Sequence, residues 1–295
     1  MAVQLKSDVE PELRRTGWGG MSRFPFTPFP SGWFRVAASH QLGGGQRLRK
    51  RYFDRGLVIE RDRDGVASVH DGASGLPVQE VNGQIMLYVG GDPTWAMPRL
   101  PGYRSAGWSH RCCANHWPAL RTHVQEIAEN AVDTAHLSRL HAQQILDSQT
   151  ERFSAGGPTF QHSIGVTYNV FKLARWLGTE VTGTVETTCY GLGCVATHSI
   201  VWARGFELEY LYTFYATPLD EDTIEFNTAL SARCSASSRL LGRLLMAKAR
   251  REAQVMVNQD MGILESKVYR ERPALCDGDG PILEFRRWAR QFYPG

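Results

Sequence analysis

The densest run of chemistry-bearing side chains in the sequence is Glu129-Asn130-Ala131-Val132-Asp133-Thr134-Ala135-His136-Leu137-Ser138-Arg139-Leu140-His141. Wound as an ideal helix with Asn130 at the reference angle, this run places Leu137 and Leu140 within one turn's arc of it. Asp133 falls on the same arc, His136 at its edge and His141 on its far side. Ionisable groups therefore share the face that the leucines would bury. A buried charge without a partner is costly, and a metal ion is one way to supply that partner. The two histidines are five residues apart, so on a regular helix they point in different directions. A bulged or ending helix would bring both to one point.

The pattern N-x-x-D-x-x-H-x-x-x-x-H, carried by Asn130, Asp133, His136 and His141, resembles the mononuclear-iron motif of Rieske-type non-haem iron oxygenases at every defined position. Upstream, Arg121-Thr122-His123 and Gln125-Glu126 are similar to the lead-in of the steroid-hydroxylating branch of that family, the 9α-hydroxylases. The resemblance implies that His136 and His141 bind mononuclear Fe(2+) together with one later aspartate. That is the 2-His-1-carboxylate arrangement, which leaves positions open for dioxygen. Asn258-Gln259-Asp260-Met261-Gly262-Ile263-Leu264-Glu265-Ser266-Lys267 resembles the helix carrying that aspartate, which assigns the third ligand to Asp260, with Glu265 a nearby carboxylate. In the family the motif aspartate, here Asp133, bridges an iron-ligand histidine to a cluster histidine of the neighbouring subunit and gives electrons a path. Its alternative here is to orient His136 or His141. Asn130 is assigned a supporting place behind the ligands. Likeness extends to Pro28-Phe29-Pro30-Ser31-Gly32-Trp33-Phe34 near the start and to Tyr269-Arg270-Glu271-Arg272-Pro273 and Phe285-Arg286-Arg287-Trp288 near the end.

One part of the family pattern is missing. A Rieske 2Fe–2S cluster needs two cysteines on one iron and two histidines on the other. The family supplies them as C-x-H followed by C-x-x-H, between the early strands and the hairpin that carries Asn82-Gly83 here. In this sequence no cysteine precedes Cys112, and Val69-His70-Asp71 passes through Gly72 to Gly75 almost directly into Leu76 to Val81. No 2Fe–2S cluster is therefore expected. Cys113-Ala114-Asn115-His116 has the shape of a half-motif, but it lies on the wrong side of the hairpin and reads as a chance match. Electrons would then come from a separate ferredoxin or Rieske-containing donor docked near Asp133. Resemblance and apolar strands together point to a small but bulky apolar organic substrate, steroid, terpenoid or polyketide, hydroxylated at a C–H bond. A redox-neutral use of the metal in cyclisation, isomerisation or hydrolysis is the alternative, as is a non-catalytic partner of a complete oxygenase. A homotrimer is expected only if the shortened β domain still packs on its neighbour.

These residues need elements to hold them. Strand-like runs cover Trp33 to Ala37, Arg51 to Phe53, Leu57 to Arg61, Val66 to His70, Leu76 to Val81 and Gln84 to Val89. Asn82-Gly83 between the last two is a strong hairpin signal. A helix is predicted over Val124 to Gln144. Strands return over Phe160 to Phe171, Glu180 to Tyr190, Ala196 to Trp202, Leu208 to Thr217 and Thr223 to Leu230, and a long helix over Ser237 to Tyr269. The order predicts an α+β fold: one large antiparallel sheet packed with helices, helix-grip-like, behind a shortened N-terminal β domain. The divisions are a mobile segment over 1–25, the β-domain remnant over 26–75 and the catalytic domain over 76–295. At 42% hydrophobic and 21% charged residues, the composition is that of a soluble globular protein. A net charge of +3 gives no electrostatic footprint for nucleic acid, and the basic run Arg47-Leu48-Arg49-Lys50-Arg51 reads as a solvated face. No stretch is long and apolar enough for a membrane span, no secretory signal is evident, and the six cysteines lack disulfide-framework spacing. A cytoplasmic setting is expected.

Overall fold

The computed structural model describes residues 24–140, 143–145, 151–168, 181–203, 206–236 and 239–293. The segment expected to be mobile falls almost wholly outside them.

The chain opens with β1 (Gly32–Ala38), followed by a meander of β2 (Arg47–Tyr52), β3 (Arg55–Arg61), β4 (Ala67–Asp71) and β5 (Ser74–Leu76), which pair in that order. The hairpin β6 (Val78–Val81) and β7 (Gln84–Val89) then returns to pair with β1, so that β7 lies between β1 and β6. Asn82 and Gly83 turn this hairpin at φ of 55° and 74°, the two positive values that a tight type I′ turn requires. Val81 faces Gln84 across it. The run predicted as one strand over Leu76 to Val81 is split at Pro77, which has no N–H to give a ladder; its carbonyl accepts from Tyr88 N at 3.0 Å. Hydrogen bonding thus joins residues 78–89 to the N-terminal strand β1, across the boundary expected at 75/76.

Next come β8 (Ser109–Leu120), α1 (Val124–Val132), α2 (Thr134–Leu140) and the short β9 (Gln143–Ile145). Five long strands and one short one follow: β10 (Arg152–Gly156), β11 (Thr159–Tyr168), β12 (Thr182–Tyr190), β13 (Cys194–Ala203), β14 (Phe206–Pro218) and β15 (Ile224–Ala236). They form the large antiparallel sheet in the order β10-β11-β12-β13-β14-β15-β8, with β9 added against β11. The chain closes with α3 (Arg239–Ser266) and α4 (Ile282–Ala289). Ile127 and Val132 of α1, Val257, Met261 and Leu264 of α3, and Phe285 and Trp288 of α4 join Phe160, Tyr212 and Phe226 of the sheet in one apolar core. The helices therefore cover one face of the large sheet, as an α+β fold with a helix-grip arrangement requires.

The small sheets are fastened to the large one through a buried charge. Arg35 on β1, 2% exposed, donates to Gln84 Oε1 at 2.7 Å and to Glu225 Oε1 at 3.3 Å, and Lys50 Nζ reaches Glu225 Oε2 at 3.1 Å. Burial alone would raise the Glu225 carboxyl, but Lys50, Asn227 and Arg35 hold it below the ordinary range. Lys50 is thus the member of the basic run with a structural task; Arg47, Arg49 and Arg51 are exposed.

Candidate metal centre

Helix α1 starts at His123, whose Nδ1 accepts from Gln125 N–H at 3.1 Å and so caps an otherwise unsatisfied donor. Its buried face mixes Val124, Ile127, Ala128 and Val132 with Glu126 and Glu129. The continuous helix predicted over Val124 to Gln144 breaks at Asp133, which sits at φ −79° and ψ 103°. There Asp133 Oδ1 accepts from His136 N–H at 3.2 Å, an N-cap for α2. Thr134 gives its hydroxyl proton to Glu151 Oε1 at 2.7 Å. Gly280, at φ 76°, lets the C-terminal segment press against this break. A Cβ at Gly280 would stand 2.6 Å from Val132 O and 2.7 Å from Thr134 Oγ1. Burial pushes the Asp133 carboxyl above the ordinary range, with the His136 N–H and imidazole pulling it back down.

The break re-aims α2 so that His136 faces α3. His136 Nε2 lies 3.0 Å from Asp260 Oδ1, and each side chain is 13% exposed. Asp260 stands on the half of α3 that buries Val257, Met261 and Leu264, whereas Glu265 is exposed. The structure therefore selects Asp260 over Glu265 as the carboxylate that meets a motif histidine. The donor set suits a first-row divalent metal. His141 lies outside the described residues. Among the described residues no third His, Cys, Asp or Glu joins the pair in a metal-binding group.

The pair opens on a mostly apolar cleft between the helices and the large sheet. Ile127, Asn130 and Ala131 line it from α1, and Met256, Val257, Met261 and Leu264 from α3. Asn130 thus faces the cavity itself. The apolar strand over Leu208 to Phe214 was expected to face the substrate, but no individual residue of the opposite wall was predicted; it is built by Val185 and Thr187 of β12, Thr197 and Ser199 of β13, Tyr210, Tyr212 and Phe214 of β14, and Phe226 of β15. Strand alternation gave a usable signal, since these are every-other residues. Which face looks inward depends on register, and that is a tertiary fact. The half-motif residues Cys113 and His116 sit on β8 beside the Arg35–Glu225 charge, at 3.5 Å from Arg35 Nη2 and 3.7 Å from Glu225 Oε1.

With this geometry in place, the relatives are informative. Residues 88–293 match the sequence family described as the 3-ketosteroid 9alpha-hydroxylase C-terminal domain. The chain is 24% identical to cholesterol 7-desaturase nvd 1 of Ciona intestinalis, over 98% of this chain and 73% of that protein. It is 25% identical to a probable 3-ketosteroid-9-alpha-monooxygenase oxygenase component of Rhodococcus rhodochrous, over 74% of this chain and 56% of that one. Against the Rhodococcus protein the match thus spans little more than half the relative's length. Among solved structures, dicamba monooxygenase bound to dicamba shares the fold at a TM-score of 0.68 and 15% identity, covering 90% of this chain and 98% of that one. NdmB of Pseudomonas putida does so at 0.62 and 12%, covering 88% and 89%. The family match over most of the chain, on a fold shared with these oxygenases and around the paired His136 and Asp260, means that the chain belongs to the 3-ketosteroid 9alpha-hydroxylase C-terminal domain family of Rieske-type non-haem iron oxidoreductases.

Proposed function

We propose that the chain holds mononuclear Fe(2+) with His136, His141 and Asp260 and oxidises a C–H bond of a bulky apolar substrate, steroid, terpenoid or polyketide. Its electrons come from a separate ferredoxin or Rieske-containing protein. The observation that carries this reading is the His136–Asp260 contact of 3.0 Å at the wall of an apolar cavity. When bound, the Fe(2+) supplies the dioxygen-activating chemistry of 2-His-1-carboxylate centres. The chain's own residues bind, orient and exclude water. Asp133 fixes the first turn of α2 and with it the direction of the His136 ring. Val257, Met261 and Leu264 bury the helix around Asp260, and Ile127, Phe214 and Phe226 keep the reacting region dry. Asn130 offers an amide on the same wall as the ligands.

The separate donor follows from the missing cluster motif. No cysteine precedes Cys112, and β2 to β5 are joined by Phe53-Asp54, Asp62 to Val66 and Gly72-Ala73, all too short for cluster-bearing loops. The alignment with the Ciona relative supports the same reading. It spans 362 positions yet takes in 98% of a 295-residue chain, so the relative has residues at dozens of positions where this chain has none. A homotrimer is the proposed assembly if the β1 and β2–β5 sheets pack on a neighbour. The test is anaerobic loading with Fe(2+), analysis of iron and acid-labile sulfide, and turnover of a 3-ketosteroid with and without a reduced ferredoxin. One iron per chain, sulfide at background and donor-dependent turnover are expected. Sulfide near about two per chain would overturn the separate-donor reading. Turnover that needs no donor would point to redox-neutral chemistry.

A further inference from the structure

The cavity has two chemically different walls. The helix wall, apart from Asn130 and the His136–Asp260 pair, is apolar: Ile127, Ala131, Met256, Val257, Met261 and Leu264. The sheet wall carries a patch of hydroxyls in adjacent register. Thr187 on β12 faces Thr197 on β13, and Ser199 on β13 faces Tyr210 on β14. These four lie two residues apart along β13 and side by side across three strands, so their side chains share one stretch of the wall.

Buried hydroxyls are normally hydrogen-bonded, because leaving one unpaired forfeits its bond to water. Thr187 and Thr197 hydroxyls share one bond at 3.3 Å, which uses a single proton and leaves donor and acceptor capacity on the pair. Ser199, 1% exposed, lines the cavity beside them. The neighbouring Tyr212 differs: its hydroxyl accepts from Asn115 Nδ2 at 2.6 Å and donates to Thr228 Oγ1 at 3.2 Å. The sheet wall therefore holds a satisfied phenol beside a threonine pair with donor and acceptor capacity to spare. Among the described residues the lining contains no Lys or Arg. An anionic group would be buried there without a counter-charge, whereas a neutral oxygen would be matched.

We infer that Thr187, Thr197, Ser199 and Tyr210 form a specificity surface that binds a neutral oxygen function, a ketone or hydroxyl, on an otherwise apolar substrate. Binding it on the sheet wall turns the ring system and fixes which carbon faces the His136–Asp260 pair. This rests on the proposed reading of the cavity as a substrate site and adds to it the residues that orient the substrate.

Equilibrium dialysis with iron-loaded protein tests it, using androstane, a steroid hydrocarbon, and two of its monoketones, androstan-3-one and androstan-17-one, each quantified by mass spectrometry. In the parent at least one monoketone binds about tenfold more tightly than the hydrocarbon, the value of roughly one well-made hydrogen bond. In Ser199→Ala combined with Thr197→Val, that ratio falls to about two. Ser199→Thr, which keeps the hydroxyl, retains the preference, and thermal melting checks that each variant is folded. If the double variant does not fold, the ratio is read in Ser199→Ala alone. A parent with no ketone preference, or a preference that survives the loss of these hydroxyls, overturns the inference and leaves the substrate cavity standing. Failure of the hydrocarbon and both ketones to bind the parent overturns the cavity reading and the inference with it.

Discussion

Two groups of buried charge tie the helices together from the same short stretch of chain. On α1, Glu129 takes the guanidinium of Arg286 in a two-pronged contact at 2.6 and 2.8 Å, and Lys267 reaches both Glu126 and Glu129 at 2.5 and 3.2 Å. Arg286 also donates to Arg270 O at 2.6 Å and lies 4.3 Å from the centre of the Tyr269 ring. A few residues later, past the break at Asp133, His136 meets Asp260. Both groups join the α1–α2 stretch to the C-terminal part of the chain. They differ in where they face. None of Glu126, Glu129, Lys267 and Arg286 lines the cavity, and their charges are answered within the cluster. His136 and Asp260 line it, so their side chains face that space. The difference teaches that a buried ionic group reads as structural when it is closed and as functional when it opens on a cavity.

The largest effect should come from breaking the open group. Asp260→Ala or His136→Ala should cut bound iron and turnover by more than about 100-fold, since losing even a partner behind a metal ligand costs 10- to 100-fold. Metal analysis and melting curves measured side by side check this, and the melting temperature should move little. Full iron occupancy in either variant would remove that residue from the centre.

Breaking the closed group should do the converse. Arg286→Met leaves Glu129 buried opposite Lys267 alone, and losing one partner of such a pair costs about 3–5 kcal/mol. For a chain of this size that lowers the melting temperature by roughly 10 °C. Iron per folded chain should stay at the parent level; an equal loss of iron would merge the two groups into one.

Smaller and pH-dependent is the effect of His123, where α1 begins. Burial pushes its imidazole down to about 4, whereas the unfolded chain protonates near 6.5. The unfolded state then binds the extra proton first. Stability is full above pH 6.5 and falls as pH drops toward 4, by about 1 kcal/mol per unit. His123→Asn keeps the cap on Gln125 N–H but cannot titrate, so urea unfolding across this window should lose that part of the slope. A parent-like slope in the variant would assign it to other groups.

Least of all should follow from Glu265→Ala. That carboxylate is exposed one turn beyond Asp260, and iron content and stability should match the parent within error. A loss of iron would move the third ligand from Asp260 to Glu265.

How far the sequence foretold this arrangement differs element by element. The Asn82-Gly83 hairpin was legible because a type I′ turn selects residues that tolerate positive φ. The turn at Phe53-Asp54, with φ of 54° and 56°, was not, since a bulky aromatic is a poor turn former. Tertiary contacts hold it: Phe53 N donates to Pro218 O at 3.0 Å, and its ring meets Phe29 and Phe34. Strand β8 escaped notice because its residues alternate between exposed and half-buried at the sheet edge, with little apolar periodicity. The break at Asp133 was not foretold, because that carboxylate starts a new helix only where it meets the His136 N–H; His141 lies outside the described residues.

By itself the sequence determined the family and the lack of a C-x-H and C-x-x-H pair ahead of the Asn82-Gly83 hairpin, because these depend on residue type and spacing along the chain. It also determined that the fold is a large antiparallel sheet with helices, since periodicity is local. Only the tertiary structure decided that Asp260 rather than Glu265 meets His136, that Asn130 faces the cavity, and that hydroxyls line its far wall. Those facts depend on the rotation of α3 about its axis and the register of β12 to β14, which are set by burial and hydrogen bonding between segments far apart in the chain.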